Sequence, residues 1–220
     1  MTRPSSRVGR PAFDLSLYLV TDNGLCAERG LAETVAAAIA GGVTMIQYRA
    51  KGRDLRSALV EATELAVLAK QAGVPLIVND RLDIALAVDA EGLHVGQSDM
   101  PPEIARRLLG ADKILGISVS RPAEIETVDP ALVDYVGLGP VFATATKSDA
   151  AAPLGLEQVA QLRQQIPLPV VAIGGIGREQ AGAVIRAGAD GIAIVSAICG
   201  TSDPEGAARQ LKQSISDARR

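Results

Sequence analysis

The chain has no tryptophan, two phenylalanines and three tyrosines, so aromatic residues make up only 2% of it. A core of ordinary size must then be built from Ala, Val, Ile and Leu, which suits buried parallel strands covered by Ala-rich helices. Only two cysteines occur, Cys26 and Cys199, far apart and without ligand-type spacing. They argue against a disulfide scaffold or a zinc site and for a reducing compartment, and both read as small packing or surface residues. There is no long basic run, and the net charge of −3 disfavours a nucleic-acid surface. No apolar run reaches the roughly 18 residues that a membrane span requires. The N-terminal MTRPSSRVGRPAF lacks an apolar stretch behind its charges, so a secretory signal is not expected. Residues 1–13 read as a loose arm, and the whole as a cytoplasmic protein without nucleic-acid or membrane partners. Oligomeric state is left open.

What is present is regular. Of 220 residues, 48% are hydrophobic, and short apolar runs alternate with Ala-rich helical stretches from Leu17 to the C-terminus. Strands are expected at Leu17–Val20, Thr44–Tyr48, Pro75–Val78, Leu93–Val95, Ile114–Ser118, Asp134–Leu138, Pro169–Ile173 and Gly191–Val195. Between them lie helices such as Leu31–Ala40, Leu55–Ala72 with Asp54 as N-cap and Gly73 as stop, and Leu156–Gln165, with a last helix at Pro204–Ala218. Eight strand–helix units without a linker predict a single (β/α)8 barrel spanning residues 14–220.

In such barrels the active site forms beyond the carboxyl ends of the strands. Leu76–Asp99 reads strand–helix–strand with an acid just past each strand, Asp80 and Asp99. Parallel neighbours lie about 4.8 Å apart, so both acids can reach one ion. Gln47-x-Arg49-x-Lys51 alternates with the strand period, so its side chains project together as strand two ends. Ser118 follows strand five. A long loop, Gly139 to Pro153, carries Thr144, Thr146 and Lys147 and has the length of a lid or binding loop. Gly174-Gly175-Ile176-Gly177 after strand seven, with Val195 and Ser196 after strand eight, would cradle a phosphate on backbone N–H groups. Two acids around one point serve either acid/base chemistry or a hard metal. With Arg49, Lys51 and Lys147 alongside, Mg²⁺ bridging to a di- or triphosphate fits best. His94, the only histidine, sits inside strand four and reads as a packed residue rather than a base.

These motifs, taken in order with Val78-Asn79-Asp80, His94-Val95-Gly96-Gln97-x-Asp99 and Val136-Gly137-Leu138-Gly139-Pro140, resemble the thiamine-phosphate synthase family over nearly the whole chain. The resemblance implies a transferase that joins 4-amino-2-methyl-5-hydroxymethylpyrimidine diphosphate to a thiazole phosphate, releasing diphosphate. It implies that Gln47, Arg49 and Lys51, with the intervening Tyr48 and Ala50, and Asn79, Ser118 and Lys147 hold the pyrimidine diphosphate. Arg49, Lys51, Lys147 and Ser118 would be the catalytic residues. Asp80 and Asp99 would be Mg²⁺ ligands. Thr144, Ala145, Thr146, Gly175, Val195 and Ser196 would hold the thiazole phosphate. Ala143 departs from the proline common in the family there, which loosens the loop without removing a functional group. A related thiazole tautomerase, another phosphate-binding barrel isomerase and a non-catalytic binding protein are the rival readings. The isomerases do not need two metal-binding acids beside a diphosphate-binding triplet.

Overall fold

A computed structural model describes residues 12–144, 146 and 151–220 of the chain. Residues 1–11, Ala145, Lys147 and residues 148–150 lie outside the described residues. So do most of the expected N-terminal arm and one of the expected catalytic lysines.

Eight parallel strands close into a barrel in sequence order. They are β1 (Leu17–Val20), β2 (Met45–Tyr48), β3 (Leu76–Asn79), β4 (Gly92–Val95), β5 (Ile114–Val119), β6 (Tyr135–Leu138), β7 (Val170–Ile173) and β8 (Gly191–Ile194). The helices are α1 (Leu31–Ala40), α2 (Leu55–Ala72), α3 (Leu82–Ala87), α4 (Pro102–Leu109), α5 (Gly155–Gln165), α6 (Arg178–Arg186), α7 (Ser196–Cys199) and α8 (Pro204–Ala218). A 3-10 turn at Pro122–Thr127 takes the place of a helix between β5 and β6. The expected elements are present with ends shifted by a residue or two, and α7 is the one helix the sequence pattern did not announce.

Local chemistry explains the boundaries. Asp54 caps α2 by accepting from the Ser57 N–H at 3.0 Å, and Gly73 ends the helix at φ 66°, where a Cβ would be penalised. Asp203 caps α8 in the same way through the Gly206 N–H, with Pro204 at the first helical position.

The strands are apolar on both faces because each face has its own core. Residues such as Leu17, Leu19, Ile46, Val78, Leu93 and Val136 point outward and pack under the helices. Tyr18, Val20, Met45, Ile77, Ile114, Tyr135, Val171 and Ala193 point inward and fill the barrel. Each large aliphatic side chain so buried contributes roughly 1.5–3 kcal/mol. The packing begins at Phe13, inside the expected arm, whose ring lies 5.9 Å from that of Tyr135.

The amino end of the barrel is sealed by a repeated device. The residue just before each even strand offers a side-chain oxygen to an N–H at the start of the preceding odd strand. Thr44 Oγ1 accepts from Leu17 at 3.0 Å, Glu91 Oε2 from Leu76 at 2.9 Å, and Asp134 and Asp190 from Leu115 and Val170 at 2.8 Å each. Two of these acids are further tied to arginines of the outer layer. Arg106 reaches Asp134 at 2.7 Å and Arg163 reaches Asp190 at 3.0 Å.

The cysteines are not isolated. Both are buried, and the interaction between their thiols draws Cys26 down and pushes Cys199 up. The long sequence separation hides this meeting, because it is made by the turn after β1 and by α7 after β8, two strands that are neighbours in the barrel.

Candidate active site

The carboxyl end of the barrel opens into a cavity of about 560 Å³. Its wall starts at β2, where alternation sends Gln47, Arg49 and Lys51 to the same side, and all three line the cavity. The same alternation turns Tyr48 outward. It is fully buried among the helices and donates from its hydroxyl to Glu61 at 2.6 Å. Its side chain therefore faces the outer layer, which leaves only the Tyr48 backbone beside the cavity-lining Gln47 and Arg49. Ala50 is half-buried and lines the mouth.

Arg49 is held by its backbone N–H, which donates to Thr21 Oγ1 at 3.1 Å, and its guanidinium lies 3.8 Å from Asp22. No described carboxylate lies within ion-pair distance of Lys51. Two further cations that the sequence reading passed over, Arg53 and Arg81, line the same cavity. Each is engaged laterally, Arg53 with Glu61 at 2.5 Å and Arg81 with Asp83 at 2.6 Å. The hydrogen bonds from Arg81 hold the Asp83 carboxyl below its ordinary range.

Asp80 and Asp99 stand on the neighbouring wall. Asp80 follows β3 directly, in the left-handed region at φ 59°, a conformation that costs most side chains about 1–2 kcal/mol. Its N–H donates to the His94 carbonyl at 2.9 Å, and Asn79 Nδ2 donates to its Oδ1 at 2.8 Å. So Asn79 serves to aim Asp80. Asp99 accepts from the Gly96 N–H at 2.9 Å, and a Cβ on Gly96 would come within 2.7 Å of that carboxylate. Both acids supply hard oxygen donors from adjacent strands. Among the described residues no third Asp, Glu, His or Cys joins them to make a self-sufficient metal cluster. Two carboxylates, with the remaining positions left to phosphate oxygens and water, is the donor pattern Mg²⁺ favours. The residues fit that ion.

The opposite wall comes from β6, β7 and β8. Gly174 and Gly175 adopt φ 103° and 62°, and a Cβ on Gly175 would lie 2.5 Å from the Ala143 carbonyl. The β6 and β7 loops are thus pressed together, with the Phe142 N–H donating to the Gly174 carbonyl at 3.0 Å. Thr144, Thr146, Gly175, Val195 and Ser196 all face the cavity. Behind Gly175 lies the amino end of α6, and Ser196 begins α7, so backbone N–H groups without intrahelical acceptors gather on this side.

The floor holds residues whose roles the linear pattern does not disclose. His94 is buried as expected, yet it lies at the base of the cavity beside Tyr18 and Ser118. Room for its ring exists because Gly116 and Gly137 lack side chains. A Cβ on Gly116 would sit 2.2 Å from Tyr135 and 2.5 Å from His94 Nδ1. Burial pushes the Tyr18 and Tyr135 hydroxyls up, well above the ordinary phenol pKa, so both stay protonated.

Known proteins similar to this chain point to one family. The family model described as thiamine monophosphate synthase matches residues 17–198. A thiamine-phosphate synthase of Azorhizobium caulinodans is 54% identical over 211 residues, which covers 94% of this chain and 98% of that protein. One from Chloroflexus aurantiacus is 52% identical, covering 92% and 94%. Among solved structures, a thiamine phosphate pyrophosphorylase from Pyrococcus furiosus superposes with a TM-score of 0.84 at 35% identity, covering 93% of this chain and 96% of that one.

Proposed function

The chain belongs to the thiamine-phosphate synthase family and makes thiamine phosphate by transfer of a pyrimidinylmethyl group, and from that premise we propose how the cavity carries out the transfer. The pyrimidine diphosphate sits between β2 and β5, with its diphosphate against Arg49, Lys51 and Lys147. The thiazole phosphate sits against the glycine wall of β7 and the start of α7, held by Thr144, Thr146, Gly175 and Ser196. Asp80 and Asp99 would hold Mg²⁺, which would supply Lewis-acid neutralisation of charge on the departing diphosphate.

The protein residues do the rest by placement. An electron-rich aminopyrimidine stabilises a cation on its methylene, so the leaving group can depart before the thiazole nitrogen attacks. That nitrogen needs no deprotonation, and no base is required near it. Arg49, held before reaction by Thr21 and Asp22, and Lys51 stabilise charge as it accumulates on diphosphate. The glycine wall keeps the second substrate at attacking distance and turns the encounter into an effectively unimolecular step.

The observation that carries this reading is the meeting of two opposite requirements on one cavity. Cations without full local neutralisation stand beside two carboxylates on adjacent strands. A diphosphate with a divalent cation satisfies both. The test is to mix both substrates with the purified protein and follow diphosphate and thiamine phosphate, with and without Mg²⁺. Metal-dependent release of both products is expected. Equal release after removal of divalent ions would overturn the metal role, and no release in either condition would overturn the mechanism as a whole.

A further inference from the structure

Five side chains on the cavity floor form one continuous hydrogen-bonded chain that the mechanism above leaves unused. Gln47 Nε2 donates to the Tyr18 hydroxyl at 2.9 Å, and the Tyr18 and Tyr135 hydroxyls meet at 2.9 Å. Tyr135 reaches His94 Nδ1 at 2.9 Å, and His94 Nε2 reaches Ser118 Oγ at 2.9 Å. The chain therefore begins on β2 and ends on β5, crossing the barrel beneath the ligand space.

Proton counting gives the chain a direction. An amide nitrogen only donates, so the Tyr18 oxygen receives and its single proton points to Tyr135. Tyr135 then has its own proton left for His94 Nδ1. That nitrogen is consequently an acceptor, the neutral ring carries its proton on Nε2, and Nε2–H donates to Ser118. The Ser118 proton is left to point into the cavity. Each hydroxyl has one proton, so no link can reverse unless all do.

We propose that Tyr18, Tyr135 and His94 are positioning residues which set the direction of hydrogen bonding at the floor, making Ser118 a donor to the ligand and turning the Gln47 carbonyl oxygen toward it as an acceptor. A heteroaromatic ring with a ring-nitrogen acceptor and an exocyclic amino donor matches that pair, and a ring with these groups exchanged does not. This inference rests on the pyrimidine placement given above, but the direction of the chain can be read without any substrate.

Because His94 is the only histidine, imidazole ¹⁵N resonances from histidine-labelled protein report one site. In the full chain at neutral pH we expect a neutral ring protonated on Nε2. In Tyr135→Phe, which removes the donor to Nδ1, we expect a mixture of tautomers. A ring protonated on Nδ1, or on both nitrogens, in the unmutated protein overturns the proposal. So does a Tyr135→Phe spectrum identical to that of the unmutated protein.

Kinetics provide the second arm. Tyr18→Phe should raise KM for the pyrimidine diphosphate about tenfold, the effect of one net hydrogen bond, and leave KM for the thiazole phosphate unchanged. His94→Gln, which can still donate from an amide to Ser118, should retain more activity than His94→Leu, and a melting curve for each variant separates this from loss of folding. Equal activity of those two variants at equal folding overturns the proposal. Absence of turnover in a protein whose histidine shows the expected tautomer would instead overturn the proposed function and leave the floor's direction standing.

Discussion

The two ends of the barrel carry similar charged residues and use them in opposite ways. At the amino end Arg106 is saturated: besides Asp134, it donates to the carbonyls of Leu132, Gly110 and Lys113 at 2.7–2.8 Å. Arg163 likewise reaches the Gly188 and Ile166 carbonyls as well as Asp190. Every such contact joins two parts of the protein itself. At the carboxyl end Arg53 and Arg81 are paired with Glu61 and Asp83, but Arg49 has one long ion pair and Lys51 has none with a described carboxylate. Charge that is spent internally stabilises the fold, whereas charge left open is available to a ligand. Location in the barrel separates stability from chemistry.

Substitutions can break that separation if it is wrong. The largest effect is expected at the sealed end. Asp134→Ala strands the buried Arg106 guanidinium and the Leu115 N–H, and should cost about 3–5 kcal/mol in urea unfolding while turnover per folded molecule is retained. Loss of turnover without loss of stability would erase the distinction. At the open end, Asp80→Asn should lower kcat about 10²–10³-fold at limiting Mg²⁺ with an unchanged melting temperature. Asn also tolerates the left-handed backbone there, so folding is not the variable. Near-normal rates would remove Asp80 from the metal role. Lys51→Ala and Lys147→Ala are each expected to slow turnover about 10–100-fold with little effect on KM for the thiazole phosphate. Unchanged kcat in either would remove that lysine from leaving-group stabilisation.

A last prediction sharpens the comparison by probing the layer between the two ends. Burial raises all three tyrosines above the ordinary phenol value of 10.0. A raised value in the folded state means that unfolding favours ionisation once the pH exceeds about 10. The stability tied to the neutral phenols is thus complete below pH 10 and falls above it, by about 1.4 kcal/mol per pH unit for each tyrosine. Phenolate absorption should appear in one step that coincides with loss of helical circular dichroism. A gradual titration near the ordinary value, with the fold intact, would show that the tyrosines are not sealed.

Much of this was legible in the sequence because a barrel repeats one instruction. The apolar runs and the stops at Gly41, Gly73 and Gly110 mark the units, and the strand period alone sends Gln47, Arg49 and Lys51 into the cavity. The same period sends the Tyr48 side chain away from it. Other features were out of reach for a physical reason. Tyr18 and Tyr135 meet across the barrel only after closure, and nothing in LYLV or YVGL says that two hydroxyls will hydrogen-bond to each other. Arg53 and Arg81 lie in the same mouth, but as lone basic residues in turns they resemble solvated charges. Ser196–Cys199 is too short a helix to show a period, and the Cys26–Cys199 meeting depends on β8 lying beside β1.

The four acceptors that seal the amino end divide the chain into pairs. Thr44, Glu91, Asp134 and Asp190 each bind the strand just before their own and leave the next pair untouched. The barrel thus has a hidden period of two strands, invisible as sequence repetition because Thr, Glu and Asp can all fill the one role. Its natural seams fall after α2, α4 and α5, where new termini would interrupt none of these four bonds. Opened at such a seam, the ring would become a linear run of four whole modules, and closing it again would rebuild the mouth from the same parts in another order.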